Sequence, residues 1–356
     1  MGRMLLMRAV HYRQLDLNIP KNSPLSLLGL MVRCPSPVDR LDNLNPLKFK
    51  FSPLPNNWST GSFGDICMKR AEQLWSIGKP IQVLWSGGID STCVFLSLRE
   101  TQPNTGMLMV RYTQESVDEY PALEKEVSQF GLKLKGEDLL PKSLFLGEHI
   151  IVQGECGDQI FGSDVLETHV EELKDDWKNV FKWDRVFNSI FLQEEMLTWL
   201  NRDEHRQIAL ETLEDHVMKA PIHIKNIFDL YWWINFSVKW HWVSNRMNFN
   251  FVNTPLYKST YSFFDTEDFQ KWSVENHDTK HQGTWKTYKQ PAKDFIYTFT
   301  KDEDYRVNKT KYTSLINAVK PTSVKENYLK LVLEDQTCWR RDDTIPDDVL
   351  LNITND

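Results

Sequence analysis

The 356-residue chain is 41% hydrophobic and 26% charged, the balance of a soluble globular protein, and it is long enough for two domains. Its net charge of −7 gives no support to broad binding of nucleic acid or of an anionic membrane surface, although a local basic patch stays compatible with a nucleic acid partner. The five cysteines, Cys34, Cys67, Cys93, Cys156 and Cys338, are scattered and contain no Cys-x-x-Cys pair. That argues against a disulfide framework and a zinc site, and for a reducing, cytoplasmic setting.

Met1–Val10 carries arginines but no long apolar core, and the apolar run Leu27–Val32 is too short to span a bilayer, so no membrane association is expected. Residues 1–64, with Pro20, Pro24, Pro35, Pro37, Pro46, Pro53 and Pro55, read as an irregular segment. A helix is predicted over Asp65–Ser76. Residues 65–164 then alternate: an apolar strand at Ile81–Trp85, a helix through Thr92–Leu98 and a second strand at Met107–Tyr112. Tyr120, Leu123, Val127 and Phe130 follow at helical spacing, with Gly131 as the expected C-cap, and a third strand lies at His149–Val152. This order predicts an α/β core, a parallel sheet with flanking helices, whose ligands bind at the carboxyl ends of the strands.

Residues 165–335 are expected to be mainly helical, and 336–356 form an acidic tail. Phe228, Tyr231, Trp232, Trp233, Phe236, Trp240 and Trp242 fit a buried helix better than a base-stacking platform. His277 and His281 are four apart without a third metal ligand, which favours a solvated pair.

Two glycine-rich turns follow strands. In Ser86-Gly87-Gly88-Ile89-Asp90-Ser91 the adjacent glycines let backbone N–H groups face an anion, and the next helix directs its positive end to the same point. Ser86 and Ser91 add hydroxyl donors. Asp90 would repel a bare phosphate, so it implies a divalent cation between carboxylate and phosphate. The second turn, Gln153-Gly154-Glu155-Cys156-Gly157-Asp158-Gln159-Ile160-Phe161-Gly162, places Glu155 and Asp158 three residues apart, where both can face one ligand. With Asp90, Asp158 is expected to hold Mg²⁺ against a pyrophosphate. Cys156 lies inside this turn and is the thiol to test for reactivity.

The first turn lacks the Gly-Lys-Ser/Thr of a Walker loop and the third glycine of a dinucleotide fingerprint. It resembles the PP-loop of the N-type ATP pyrophosphatases, Ser-Gly-Gly-hydrophobic-Asp-Ser. Gly154–Gly162 resembles the Gly-Glu-Gly-x-Asp-Glu-Leu-Phe-Gly segment of the synthetase domain of asparagine synthetases and β-lactam synthetases, matched at Glu155, Asp158, Phe161 and Gly162. Cys156 and Gly157 replace the usual Gly-x, and Gln159 replaces an acidic residue. Thr254-Pro255-Leu256 is similar, more weakly, to the family's Val-Pro-Phe-Leu. Asn308-Lys309-Thr310-Lys311-Tyr312 falls where the family has a lysine loop, with the expected arginine displaced to Arg306.

The resemblance covers roughly residues 65–320. It implies the adenine nucleotide alpha hydrolase-like PP-loop fold and ATP with Mg²⁺. The implied ATP contacts are Leu84, Ser86, Gly87, Gly88, Asp90, Ser91, Val110 or Arg111, Gln153 and Gly154; the implied metal ligands are Asp90 and Asp158. It further implies that a substrate carboxylate is adenylated with release of pyrophosphate. Glu155 then orients or deprotonates an attacking amine, and Lys309 (or its neighbour Lys311) stabilises the oxyanion. About 80 residues precede the first turn, too few for the family's glutaminase domain, so ammonia or an amine is expected from outside, possibly from a separate glutaminase. Two other readings stand beside this ligase: a PP-loop enzyme adenylating a nucleobase or RNA precursor for amination or thiolation, and a nucleotide-binding scaffold without turnover.

Overall fold

A computed structural model describes residues 49–50, 61–103, 106–134, 149–163, 214–237, 239–240, 243, 259–311 and 339–340. Among them no helix is long and apolar enough to cross a membrane. The chain divides into two compact units: residues 1–54, 162–241 and 313–349, and residues 55–161, 242–312 and 350–356.

The second unit carries the sheet. Helix α1 (Phe63–Trp75) begins two residues before the predicted start because Ser62 caps it: the Ser62 hydroxyl accepts from Asp65 N–H at 3.2 Å, and Asp65 reaches back to Ser62. Strands β1 (Ile81–Leu84), β2 (Leu108–Tyr112) and β4 (Ile150–Gln153) lie within a residue or two of the apolar runs that predict them. Helix α2 (Ile89–Glu100) joins β1 to β2. It is buried from Ile89 through Leu98 apart from Asp90, as expected for a helix covered on all sides. Helix α3 (Gln114–Glu119) and helix α4 (Glu124–Phe130) follow β2.

Two strands carry no strong sequence signal: β3 (Gly131–Lys133) and β5 (Thr260–Ser262). Among the described residues they form the two edges of a five-stranded, all-parallel sheet of order β3-β2-β1-β4-β5. Gly131 does end α4, yet its φ of −111° is extended and starts β3 directly. A left-handed cap is therefore not its role. A Cβ there would lie 2.6 Å from the Val127 carbonyl oxygen and strike the Tyr112 ring, so close packing requires the glycine.

The strand order reverses between β1 and β4: the chain steps outward from β1 through β2 to β3, then returns to the other side of β1. In open α/β sheets that reversal opens a crevice at the carboxyl ends of the two strands. The register also sorts the buried side chains. Ile81, Val83, Leu108, Val110, Ile150 and Val152 share one face, whereas Gln82, Leu84, Arg111, Gln153, Thr260 and Ser262 share the other.

Helix α5 (Gly157–Phe161) follows β4, and α7 (Glu267–Glu275), α8 (Gln290–Thr300) and α9 (Glu303–Asn308) follow β5. Their core is aromatic: the Phe63 ring packs against Phe161, Phe264, Phe269, Trp272 and Phe295 at centroid distances of 5.0–6.4 Å. His277 departs from the solvated reading. It is buried, and Lys280 donates to its Nδ1 at 3.1 Å, while His281 accepts separately from Gly283 N–H.

In the other unit, α6 (Ile227–Ser237) buries Phe228, Tyr231, Trp232, Trp233 and Phe236, the core role that their spacing implies. The Trp233 indole donates to the His216 carbonyl. Phe49–Lys50 pairs in parallel with Trp339–Arg340.

Candidate active site

The first turn closes on itself through its own hydroxyls. Ser86 N–H donates to Ser91 Oγ at 3.1 Å, the two hydroxyls lie 3.0 Å apart, and Ser91 Oγ donates to the Gly88 carbonyl at 3.2 Å. Gly87 holds φ +79°, and Gly88, the extended N-cap of α2, donates its N–H to the Ser86 hydroxyl at 3.4 Å and brings no side chain of its own to the helix start. The amides at the start of α2 thus meet no capping side chain of Gly88, the arrangement suited to an incoming anion.

The second turn lands on the first. A Cβ at Gly154 would sit 3.0 Å from the Ser91 nitrogen, and one at Gly157 would sit 2.5 Å from Asp90 Oδ1. Both glycines are dictated by this approach. It brings Asp90, Ser91, Gly154, Gly157 and Asp158 together at the strand-order reversal. Glu155 stands in the same turn between Gly154 and Asp158, partly buried. Cys156, the thiol singled out for a reactivity test, holds φ +70°, a conformation costly without glycine, and its thiol is buried.

A residue absent from the sequence reading lies at the centre. Lys289, with 0% of its side chain exposed, donates to Asp90 at 2.7 and 2.5 Å and forms an ion pair with Asp158 at 2.6 Å. It stands just before α8 in a left-handed conformation, φ 60° and ψ 30°. Its carbonyl accepts the first turn of that helix while its ammonium points to the carboxylates. Lys311 adds a second ammonium, 3.4 Å from Asp158 and 3.9 Å from Asp90. Two carboxylates and two lysines make a nearly buried, charge-balanced cluster. Burial pushes the Asp90 carboxyl above the ordinary carboxylate range. Lys289 pulls it back, Asp158 adds to the rise, and Lys311 opposes it.

Lys309 reaches elsewhere. Its ammonium donates to the Glu119 main-chain carbonyl at 3.0 Å and pairs with the Glu119 carboxylate. Lys311 is therefore the lysine of this loop that faces Asp90 and Asp158. The loop backbone is tied from the α8 side: Lys293 donates to the carbonyls of Lys286 and Lys309, and the Trp285 indole donates to the Lys311 carbonyl at 3.3 Å. Arg306 pairs with Asp294 at 2.7 Å and Glu303 at 3.6 Å.

Leu84 and Gln153 are the last residues of β1 and β4 and Arg111 is the penultimate residue of β2, whereas Val110 is buried in the middle of β2 on the apolar face. Arg111 is 1% exposed, and burial lowers its pKa. Thr254–Leu256 and Tyr312 lie outside the described residues.

Among the described residues no cluster of three or more His, Cys, Asp or Glu side chains is placed to hold a metal ion by itself. Magnesium needs less: one or two carboxylates, with phosphate oxygens and water completing its octahedron. Asp90 and Asp158 meet that requirement, since both reach a single ammonium. Compared with known proteins, the chain matches no family model, no curated protein and no solved structure.

Proposed function

We propose that the chain is an ATP-dependent ligase of the PP-loop type, which adenylates a carboxylate and passes the acyl group to ammonia or an amine. The observation that carries this reading is the convergence of Asp90 and Asp158 on the Lys289 ammonium, between two glycine turns, at the reversal of strand order. A compact divalent cation would take the ammonium's place between the two carboxylates, beside a turn whose amides suit a polyphosphate.

The polyphosphate lies along Ser86–Ser91, with the Gly87 and Gly88 amides and the Ser86 hydroxyl as donors. Asp90 and Asp158 would hold Mg²⁺, which when bound supplies charge to the leaving pyrophosphate. A substrate carboxylate oxygen attacks the α-phosphorus, the bond to the α–β bridging oxygen breaks, and the electron pair leaves on pyrophosphate. Lys289 and Lys311 share that developing negative charge. An amine then attacks the acyl-adenylate carbonyl. Glu155 orients it or accepts its proton, a lysine of the 309–311 loop stabilises the oxyanion, and AMP departs.

ATP–pyrophosphate exchange over a panel of carboxylates tests the reading. Carboxylate-dependent exchange that needs no RNA supports it, and the nucleotide products must be AMP and pyrophosphate. RNA-dependent exchange moves the target to a nucleobase. ATP binding without exchange, or release of ADP, overturns it.

A further inference from the structure

Glu119 takes no part in the scheme above, yet it forms one wall of the first turn. A Cβ at Gly87 would lie 2.8 Å from Glu119 Cβ and deep inside the Ser116 carbonyl oxygen's contact shell. The last turn of α3 therefore rests directly on the phosphate-facing glycine. Glu119 places a carboxylate there, beside a turn whose amides suit an anion. Its partner is Lys309, which also caps the carbonyl of Glu119.

We propose that Glu119 is a positioning residue for Lys309: it parks the ammonium beside the glycine turn, and a phosphate bound in that turn takes the ammonium over. The inference rests on the reading of Ser86–Ser91 as a polyphosphate cradle. Three observations support the exchange. The main chain of Lys309 is fixed independently of its side chain, since its N–H donates to the Tyr305 carbonyl at 3.0 Å and its own carbonyl accepts from Lys293 at 3.2 Å. Only the side chain has to turn. The lysine side chain is 10% exposed and the glutamate 29%, so the carboxylate is the partner able to swing to water when released. Lys311 of the same loop already serves the opposite wall, at Asp90 and Asp158. The two lysines thus bracket the turn from its two sides, one engaged with the carboxylate pair and one held in reserve.

Titration calorimetry with magnesium pyrophosphate tests this directly. Glu119→Gln removes the competitor for Lys309 and should bind magnesium pyrophosphate several-fold more tightly than wild type. Lys309→Met should bind it about tenfold more weakly. A merely structural pair gives the opposite sign for Glu119→Gln, because breaking it loosens the wall of the turn and weakens binding. Should Glu119→Gln fold poorly, Glu119→Asp retracts the charge by one methylene and should still tighten binding. Unchanged or weakened binding in a folded Glu119 variant, with normal binding in wild type, overturns the role of Glu119 alone. Absence of binding in wild type overturns the cradle and this inference together.

Discussion

Gly157 stands so close to Asp90 that a methyl group on it would lie 2.5 Å from the aspartate's Oδ1. Two turns 67 residues apart in sequence are thereby interlocked, one lending a carboxylate and the other the space for it. The approach also fixes the direction of Asp90, which donates no freedom to its carboxyl: Gly157 is on one side and Lys289 on the other.

Gly157→Ala follows from this contact. No positive φ is involved at Gly157, so the cost falls on the Asp90 side chain, which must turn away from Lys289. Overpacking of this kind costs about 1–3 kcal/mol. The variant is expected to keep the fold in circular dichroism while losing at least tenfold in magnesium pyrophosphate affinity. Wild-type affinity in calorimetry would show that the two turns are not locked together.

Lys289→Met removes the nearer ammonium from Asp90 and Asp158 and leaves the more distant Lys311 beside them. Removing one partner from a buried charge cluster costs about 3–5 kcal/mol. Magnesium binding only the folded state can restore the missing charge. Millimolar Mg²⁺ is therefore expected to raise the melting temperature of Lys289→Met more than that of wild type. An equal shift in both proteins would mean that the carboxylates do not accept the ion.

Much of this site is written locally in the chain. The glycine–carboxylate turns and the apolar runs before them are short-range patterns, and they locate β1, β2, β4, Asp90 and Asp158. Lys289 has no such signature. A lysine ahead of Gln290-Pro291 looks like any solvated helix start, and its role depends on α8 packing against α2, 199 residues from Asp90. The edge strands escape for a related reason. Thr260-Tyr261-Ser262 is too short and polar to read as a strand, and it becomes one by pairing with β4, with Phe263 N–H continuing the ladder to the Gln153 carbonyl at 2.9 Å. Gly131 shows the converse: the residue is legible as a helix end, but the Tyr112 ring that requires it lies on another strand.

Lys293 supplies a pH dependence. Burial lowers its pKa to about 8 from an ordinary 10.5, with Asp294 opposing the shift. A lysine whose folded pKa lies below its unfolded value penalises folding in full while it is protonated in both states, that is, below about pH 8. The penalty fades as pH rises from about 8 towards 10.5, where the unfolded chain still binds the proton and the folded one has released it. Unfolding free energy of wild type relative to Lys293→Met is therefore expected to increase across that interval in denaturant titrations. A flat or falling difference would show that the ammonium is not disfavoured beside the Lys286 and Lys309 carbonyls.

The polar face of the sheet offers a test that is independent of any activity. Gln82 is fully buried in β1, between Met109 and Ile151, and neither Oε1 nor Nε2 has a hydrogen-bond partner among the described residues. A buried amide left without partners costs about 1–3 kcal/mol, whereas an apolar group of similar volume costs nothing of that kind. Gln82→Leu and Gln82→Met are thus expected to raise unfolding free energy by about 1 kcal/mol or more. Leucine's branching tests whether the space is shaped for the linear glutamine, since methionine should then gain more than leucine. Loss of stability in both variants would mean that the amide is satisfied in solution, by a water or a bound group on that face. Retention of the native melting temperature in one and a rise in the other would locate the difference in packing alone.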